Sequence, residues 1–122
     1  MQFPLRSITV QIVQSSGSLE KMTRVKKYKD LLVNVEEYTV HIDSKRISLT
    51  YKEFELLNLF LSHPGRVYSK EQLFIQVWKQ DYMKDSRTLD SHISSLRQKI
   101  KEYGNMIETV RNVGYRWRND ND

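Results

Sequence analysis

The chain has 122 residues, about one ordinary domain. Its 39% hydrophobic and 29% charged residues suit a small packed core rather than wholesale disorder. The absence of cysteine excludes disulfides, thiol nucleophiles and thiolate zinc sites, and no apolar run approaches the ~20 residues of a membrane span. The formal charge of +5 is unevenly spread. Residues 1–29 hold six bases and one acid, residues 30–86 seven bases and nine acids, and residues 87–118 seven bases and three acids. Two basic ends around an acidic middle point to a polyanionic partner, set against the plainer reading of a solvated surface.

Along the chain, Ile8, Val10 and Ile12 alternate with polar residues and suit a short strand, followed by a break at Ser15-Ser16-Gly17-Ser18. Lys26 to Lys29 reads as a basic patch or linker. Leu31–Val35, Val40–Ile42 and Arg46–Leu49 are short β-branched-rich runs separated by Glu36-Glu37 and Asp43-Ser44, which predicts an antiparallel meander. Thr50 and Glu53 form a capping box ahead of Phe54, Leu57 and Leu61 at helical spacing, and Pro64-Gly65 stops that helix. Val67 and Tyr68 fit a very short strand. Ser69 and Gln72 make a second capping box, opening a helix with Leu73, Phe74 and Val77 on its apolar face. A polar loop follows over Lys79 to Asp85.

A third helix is expected from a cap at Asp85 or Ser86, with Leu89, Ile93, Leu96 and Ile100 on one face. Gly104 is placed for the left-handed conformation that ends a helix. Ile107–Arg111 and Tyr115–Arg118 are strand-like runs around Asn112-Val113-Gly114, a hairpin signal. The fold class is therefore α+β: an N-terminal antiparallel sheet, three helices and a C-terminal β-hairpin wing, the layout of a winged helix-turn-helix.

The outer side of the third helix carries Arg87, Ser91, Ser94, Ser95 and Gln98, with Thr88, His92, Arg97 and Lys99 on its flanks. Short hydroxyls permit close approach to a major groove, Arg reads guanine edges and Gln reads adenine, while flanking bases suit phosphates. Arg111 at the hairpin tip suits a minor groove, where negative potential is focused. Arg116 and Arg118 alternate with Tyr115 and Trp117, giving one basic and one aromatic face. A solvent-exposed structural helix is the competing reading.

The ordered set Leu49-Thr50-Tyr51-Lys52-Glu53-Phe54-Glu55-Leu56-Leu57, His63-Pro64-Gly65-Arg66-Val67, Ser69-Lys70-Glu71-Gln72-Leu73, Val77-Trp78, Asp85-Ser86-Arg87-Thr88-Leu89-Asp90-Ser91-His92-Ile93, Leu96-Arg97, Ile107-Glu108-Thr109-Val110-Arg111 and Gly114-Tyr115-Arg116 resembles the OmpR/PhoB-type effector domain of bacterial two-component response regulators. The resemblance covers residues 29–118, leaving 1–28 as an N-terminal extension or linker and 119–122 as a tail. It implies a four-stranded N-terminal sheet and sequence-specific binding to promoter DNA by two protomers on direct repeats. By position, Arg87, Thr88, His92, Arg97 and Lys99 correspond to backbone contacts. Ser91, Ser94, Ser95 and Gln98 correspond to the base-facing set, and Arg111 with Arg116 to the wing. The loop holding Lys79, Asp81, Tyr82 and Lys84 corresponds to the segment that faces RNA polymerase. Many relatives carry Arg where Ser94 or Ser95 stands, and Gly where Asn112 stands. The 28 residues before the match are too few for a doubly wound receiver domain, so the resemblance implies either a fragment or a stand-alone effector not switched in cis by aspartyl phosphorylation.

His41, His63 and His92 lack metal-ligand spacing, and the four glycines form no phosphate loop, so neither enzymatic activity nor a cofactor, metal, membrane or small-molecule ligand is expected. A cytoplasmic location is expected. The alternative function is a winged-helix protein-interaction module without a specific DNA target, with Trp78, Tyr82 and Met83 as its contact patch.

Overall fold

The computed structural model describes residues 9–10, 25–80 and 87–119, which form two compact units divided between Ser48 and Leu49. The first unit is a five-stranded antiparallel sheet in chain order: β1 (Thr9–Val10), β2 (Val25–Tyr28), β3 (Leu31–Asn34), β4 (Thr39–Ile42) and β5 (Lys45–Ile47). Register places Lys27 opposite Leu32, Leu32 opposite His41, and His41 opposite Arg46. Because side chains alternate across a strand, the rows on either side of this one turn the other way, and Tyr28, Leu31, Val33, Val40 and Ile42 are buried. The β4–β5 turn carries Asp43 (φ 53°) and Ser44 (φ 67°), the φ pattern of a type I′ turn whose twist matches its strands. Asn34 Oδ1 accepts from the Glu37 amide at 3.0 Å and organises the β3–β4 turn.

The expected meander is present as β3 to β5. The basic patch is a correction: Lys26 and Lys27 lie inside β2, paired with Val33 and Leu32. The sheet thus has one strand more than the four the resemblance implied, with the added pairing of β1 to β2. Ile8, Ile12 and the break at Ser15–Ser18 lie outside the described residues, as does the tail beyond Asn119.

The second unit runs α1 (Tyr51–Ser62), β6 (Tyr68–Ser69), α2 (Lys70–Trp78), α3 (Arg87–Lys99), a 3-10 helix (Lys101–Met106), β7 (Ile107–Val110) and β8 (Gly114–Trp117). Both capping boxes form as expected. Glu53 N donates to Thr50 Oγ1 at 3.2 Å and Thr50 N to Glu53 Oε1 at 2.9 Å. Gln72 N donates to Ser69 Oγ at 3.0 Å and Ser69 N to Gln72 Oε1 at 2.8 Å. Each box satisfies backbone donors that the first helical turn leaves unpaired. Gly65 turns the chain at φ +88°, and its amide donates to the Trp117 carbonyl at 2.8 Å.

Phe54, Leu57, Phe60 and Leu61 of α1, Leu73 of α2, and Leu89, Ile93 and Leu96 of α3 are all buried, together with Ile100, Tyr68 and Trp117. The apolar stripes read at helical spacing are therefore the core. The three-stranded sheet has order β6-β8-β7, so β8 is central, and an alanine Cβ at Gly114 would collide with the Tyr68 carbonyl. The short strand falls one residue later than expected, at Tyr68–Ser69. Gly104 is also corrected. It lies in the 3-10 helix without a positive φ, where an added Cβ would strike the Arg97 carbonyl. The left-handed residue after α3 is Lys101, at φ 57°. The expected α3 cap at Asp85 or Ser86 lies outside the described residues.

Candidate nucleic-acid interface

The outer face of α3 is built by exclusion. With Leu89, Ile93 and Leu96 buried, Arg87, Thr88, Ser91, Ser94 and Gln98 are left exposed. They form a strip of hydroxyls and one amide, headed by a guanidinium. At the far end of the chain, β7 and β8 form a hairpin closed by Val113 N donating to the Val110 carbonyl at 2.9 Å. Asn112 occupies φ +66°, as the turn requires of it, and Arg111 and Val113 are exposed at the tip. Arg111 has no ion-pair partner among the described residues.

Helix and hairpin are clamped together. Arg97 donates from Nε and Nη2 to the Ile107 carbonyl at 3.0 and 2.6 Å, and from Nη2 to Thr109 Oγ1 at 2.9 Å. Its guanidinium also lies 5.4 Å from the Tyr115 ring centroid. Tyr115 Oη donates to Asp90 Oδ1 at 2.6 Å, and Lys70 Nζ meets Asp90 Oδ2 at 3.2 Å. Burial pushes the Tyr115 phenol far above its ordinary range, the Asp90 hydrogen bond and charge add to this, and Arg97 opposes it. Along the wing, Arg116 and Arg118 converge on Glu108 at 2.8 and 3.0 Å, and the Arg116 hydrogen bond leads in holding that carboxyl below its usual value.

A second clamp ties α3 to α1. The Glu53 carboxylate is 3% exposed, and accepts from Ser95 Oγ at 2.6 Å (Oε2) and from Lys99 Nζ at 2.8 Å (Oε1). Burial alone would raise the Glu53 pKa, but hydrogen bonds from Lys99, Ser95 and the Thr50 amide outweigh it and hold the carboxyl below its usual value. Ser95 and Lys99 are i, i+4 neighbours on one side of α3, so one carboxylate engages both.

At the start of α3, His92 is half-buried. Its Nδ1 lies 2.7 Å from the Thr88 carbonyl, which places a proton on Nδ1. Its ring stands edge-on to Trp78 at 5.0 Å, and Trp78 stacks on Phe74 at 4.9 Å. Lys52 Nζ donates to the Val77 carbonyl at 3.2 Å and sits 5.4 Å from the Trp78 ring. Trp78 therefore packs within the helix cluster. Lys79 ends α2 at φ +59°. Asp81, Tyr82, Met83 and Lys84 of the expected contact loop and patch lie outside the described residues.

The expected site residues thus separate into two groups. Arg87, Thr88, Ser91, Ser94, Gln98 and Arg111 are exposed on the helix face and the wing tip. His92, Ser95, Arg97, Lys99 and Arg116 make contacts within the protein. Reasoning from the sequence misses the partners that engage them: it gives Glu53 only a capping role, and assigns no positioning role to Tyr115 beside Arg97, to Glu108 beside Arg116, or to Asp90, which holds Tyr115. No group of three or more potential metal-ligating side chains occurs among the described residues. No helix among them is long and apolar enough to cross a membrane.

Residues 44–117 match the family described as "Transcriptional regulatory protein, C terminal". Over 95 residues the chain is 43% identical to the alkaline phosphatase synthesis transcriptional regulatory protein SphR of Synechococcus elongatus, covering 75% of this chain and 37% of that protein. It superposes on the DNA-binding domain of CpxR from E. coli with a TM-score of 0.70 at 30% identity, over 77% of this chain and 95% of that one. The DNA-binding domain of the response regulator AdeR, solved in complex with an intercistronic region, gives 0.64 at 33% identity, over 76% and 97%. The chain spans under two-fifths of the length of the curated relatives it matches. Fold, family match and solved neighbours agree: the chain belongs to the OmpR/PhoB-type effector-domain family of response regulators.

Proposed function

We propose that this domain binds promoter DNA sequence-specifically and regulates transcription within a two-component system. The single observation that carries the reading is the exposed strip Ser91, Ser94 and Gln98 on a helix clamped to a hairpin whose tip presents Arg111 without an ion-pair partner among the described residues. Thirteen residues of α3 span about 20 Å, enough to lie along a major groove. Ser91 and Ser94 approach base edges closely, and Gln98 pairs with the N6/N7 edge of adenine. Arg87, Thr88 and His92 meet phosphates on either side and set the register. Arg111 enters the adjacent minor groove. Arg97 serves by holding the helix to the wing, Arg116 by pairing with Glu108 within the wing, and Ser95 and Lys99 by holding α3 against α1. Two protomers occupy direct repeats, and the loop from Lys79 faces RNA polymerase.

Selection of bound duplexes from a random-sequence pool tests this reading. An enriched site with two copies of a half-site in the same orientation is expected. No enrichment, with binding insensitive to salt, would favour the protein-interaction module instead.

A further inference from the structure

Ser95 sits on α3 between the exposed Ser91, Ser94 and Gln98, and Lys99 lies one turn beyond it. Position on the helix would give both a place at the DNA. Geometry gives both to Glu53, at 2.6 and 2.8 Å. The carboxylate is fixed from its own side as well, because its Oε1 also caps the Thr50 amide at 2.9 Å. It is 3% exposed, whereas the Lys99 side chain is 38% exposed. Thr50, Glu53, Ser91, His92 and Ser95 line an open hollow of about 210 Å³ beside the reading face. A phosphate entering that hollow would meet a buried negative charge.

We propose that Glu53 is a positioning residue for DNA recognition, holding Ser95 and Lys99 against α1 so that neither contacts the nucleic acid and the reading falls to Ser91, Ser94 and Gln98. This inference rests on the DNA-binding reading above. It makes the recognition surface of this chain narrower and less charged than its helix positions suggest. It also makes Lys99 a latent phosphate contact, released when Glu53 loses its charge.

The test is a double-mutant cycle on the salt dependence of DNA binding, read on the full chain with the pool-selected duplex and a nonspecific duplex of equal length. Each phosphate contact adds about 0.9 to the slope of log K against log salt. Lys99→Met is expected to leave the slope of the wild type unchanged. Glu53→Gln keeps an oxygen for the Thr50 cap but frees Lys99, so the slope steepens by about 0.9, and Glu53→Gln combined with Lys99→Met returns it to the wild-type value. Ser95→Ala is expected to leave the selected sequence unaltered. A fall in slope of about 0.9 for Lys99→Met alone, or relaxed preference at one base position for Ser95→Ala, would overturn the inference. So would an unchanged slope in a folded Glu53→Gln protein. If Glu53→Gln does not fold, Lys99→Met and Ser95→Ala still decide the matter. Failure of the wild type to bind any duplex would instead strike the DNA-binding reading itself.

Discussion

The Tyr115 hydroxyl on the central wing strand donates to the Asp90 carboxylate on α3 at 2.6 Å, and this contact joins the two elements proposed to enter different grooves. Tyr115→Phe removes the donor and keeps the ring. A loss of about 1–3 kcal/mol in urea unfolding is expected, since hydrogen bonds to charged groups exceed neutral ones. The phenol is raised above its unfolded value, so its contribution is complete below about pH 10 and is lost as pH rises through the folded value. Wild-type stability should therefore fall more steeply above pH 10 than that of Tyr115→Phe. Ultraviolet titration of the folded protein should show Tyr115, together with the buried Tyr68, persisting as phenol after exposed tyrosines ionise, and Tyr115→Phe should remove one of these late-titrating groups.

Glu53 predicts the acid limb. Its folded pKa is lowered, so its contribution is complete above the unfolded value of about 4.3 and is lost as pH falls through the folded one. Chemical denaturation at a series of pH values should show a shallower acid loss for Glu53→Gln than for the wild type. Parallel acid limbs would contradict a lowered Glu53 pKa in the folded protein.

Arg87 and Arg97 should separate cleanly, although both are arginines on one helix. Arg87→Ala should weaken specific and nonspecific DNA alike and flatten the salt slope by about 0.9. Arg97→Ala breaks hydrogen bonds to Ile107 and Thr109, so its first effect should be a lowered denaturation midpoint. The measurement is fluorescence anisotropy against salt, paired with urea unfolding.

Arg111→Ala should reduce affinity most for duplexes whose flanks are A·T-rich with narrow minor grooves. The same loss on G·C-rich and A·T-rich flanks would remove Arg111 from the minor groove.

Core and close-approach positions should respond strongly. Leu96 is fully buried, so Leu96→Ala should cost about 2–5 kcal/mol. Gly104→Ala drives a methyl into the Arg97 carbonyl and should cost on the order of 1–3 kcal/mol. A neutral Gly104→Ala in thermal unfolding would show that the 3-10 segment yields easily.

The helices were legible because two capping boxes mark their starts and apolar residues recur at helical spacing. Both signals are local, and tertiary packing reinforces them. Strand β2 was not legible. Val25 and Tyr28 bracket two lysines without alternation, and only pairing with β1 and β3 makes the segment a strand. Gly104 was misread because position after a helix suggests a left-handed cap, while a close approach to a carbonyl leaves no mark in the local sequence. The site divides in the same way. Helical geometry identifies which side of α3 faces out, but Ser95 and Lys99 meet a carboxylate 42 and 46 residues earlier in the chain, which no spacing rule anticipates.

The capping boxes have a consequence for how such a domain diversifies. The starts of α1 and α2 are secured by Thr50, Glu53, Ser69 and Gln72, and α3 is anchored by leucines, Glu53, Asp90 and Arg97. None of these anchors belongs to the exposed trio Ser91, Ser94 and Gln98. Substitutions at exposed positions outside such features change stability by no more than about 0.5 kcal/mol. The trio can therefore be exchanged with almost no loss of folding, and, if base reading falls to it as proposed, a duplicated copy of this chain acquires a new operator by altering three side chains on an unchanged scaffold.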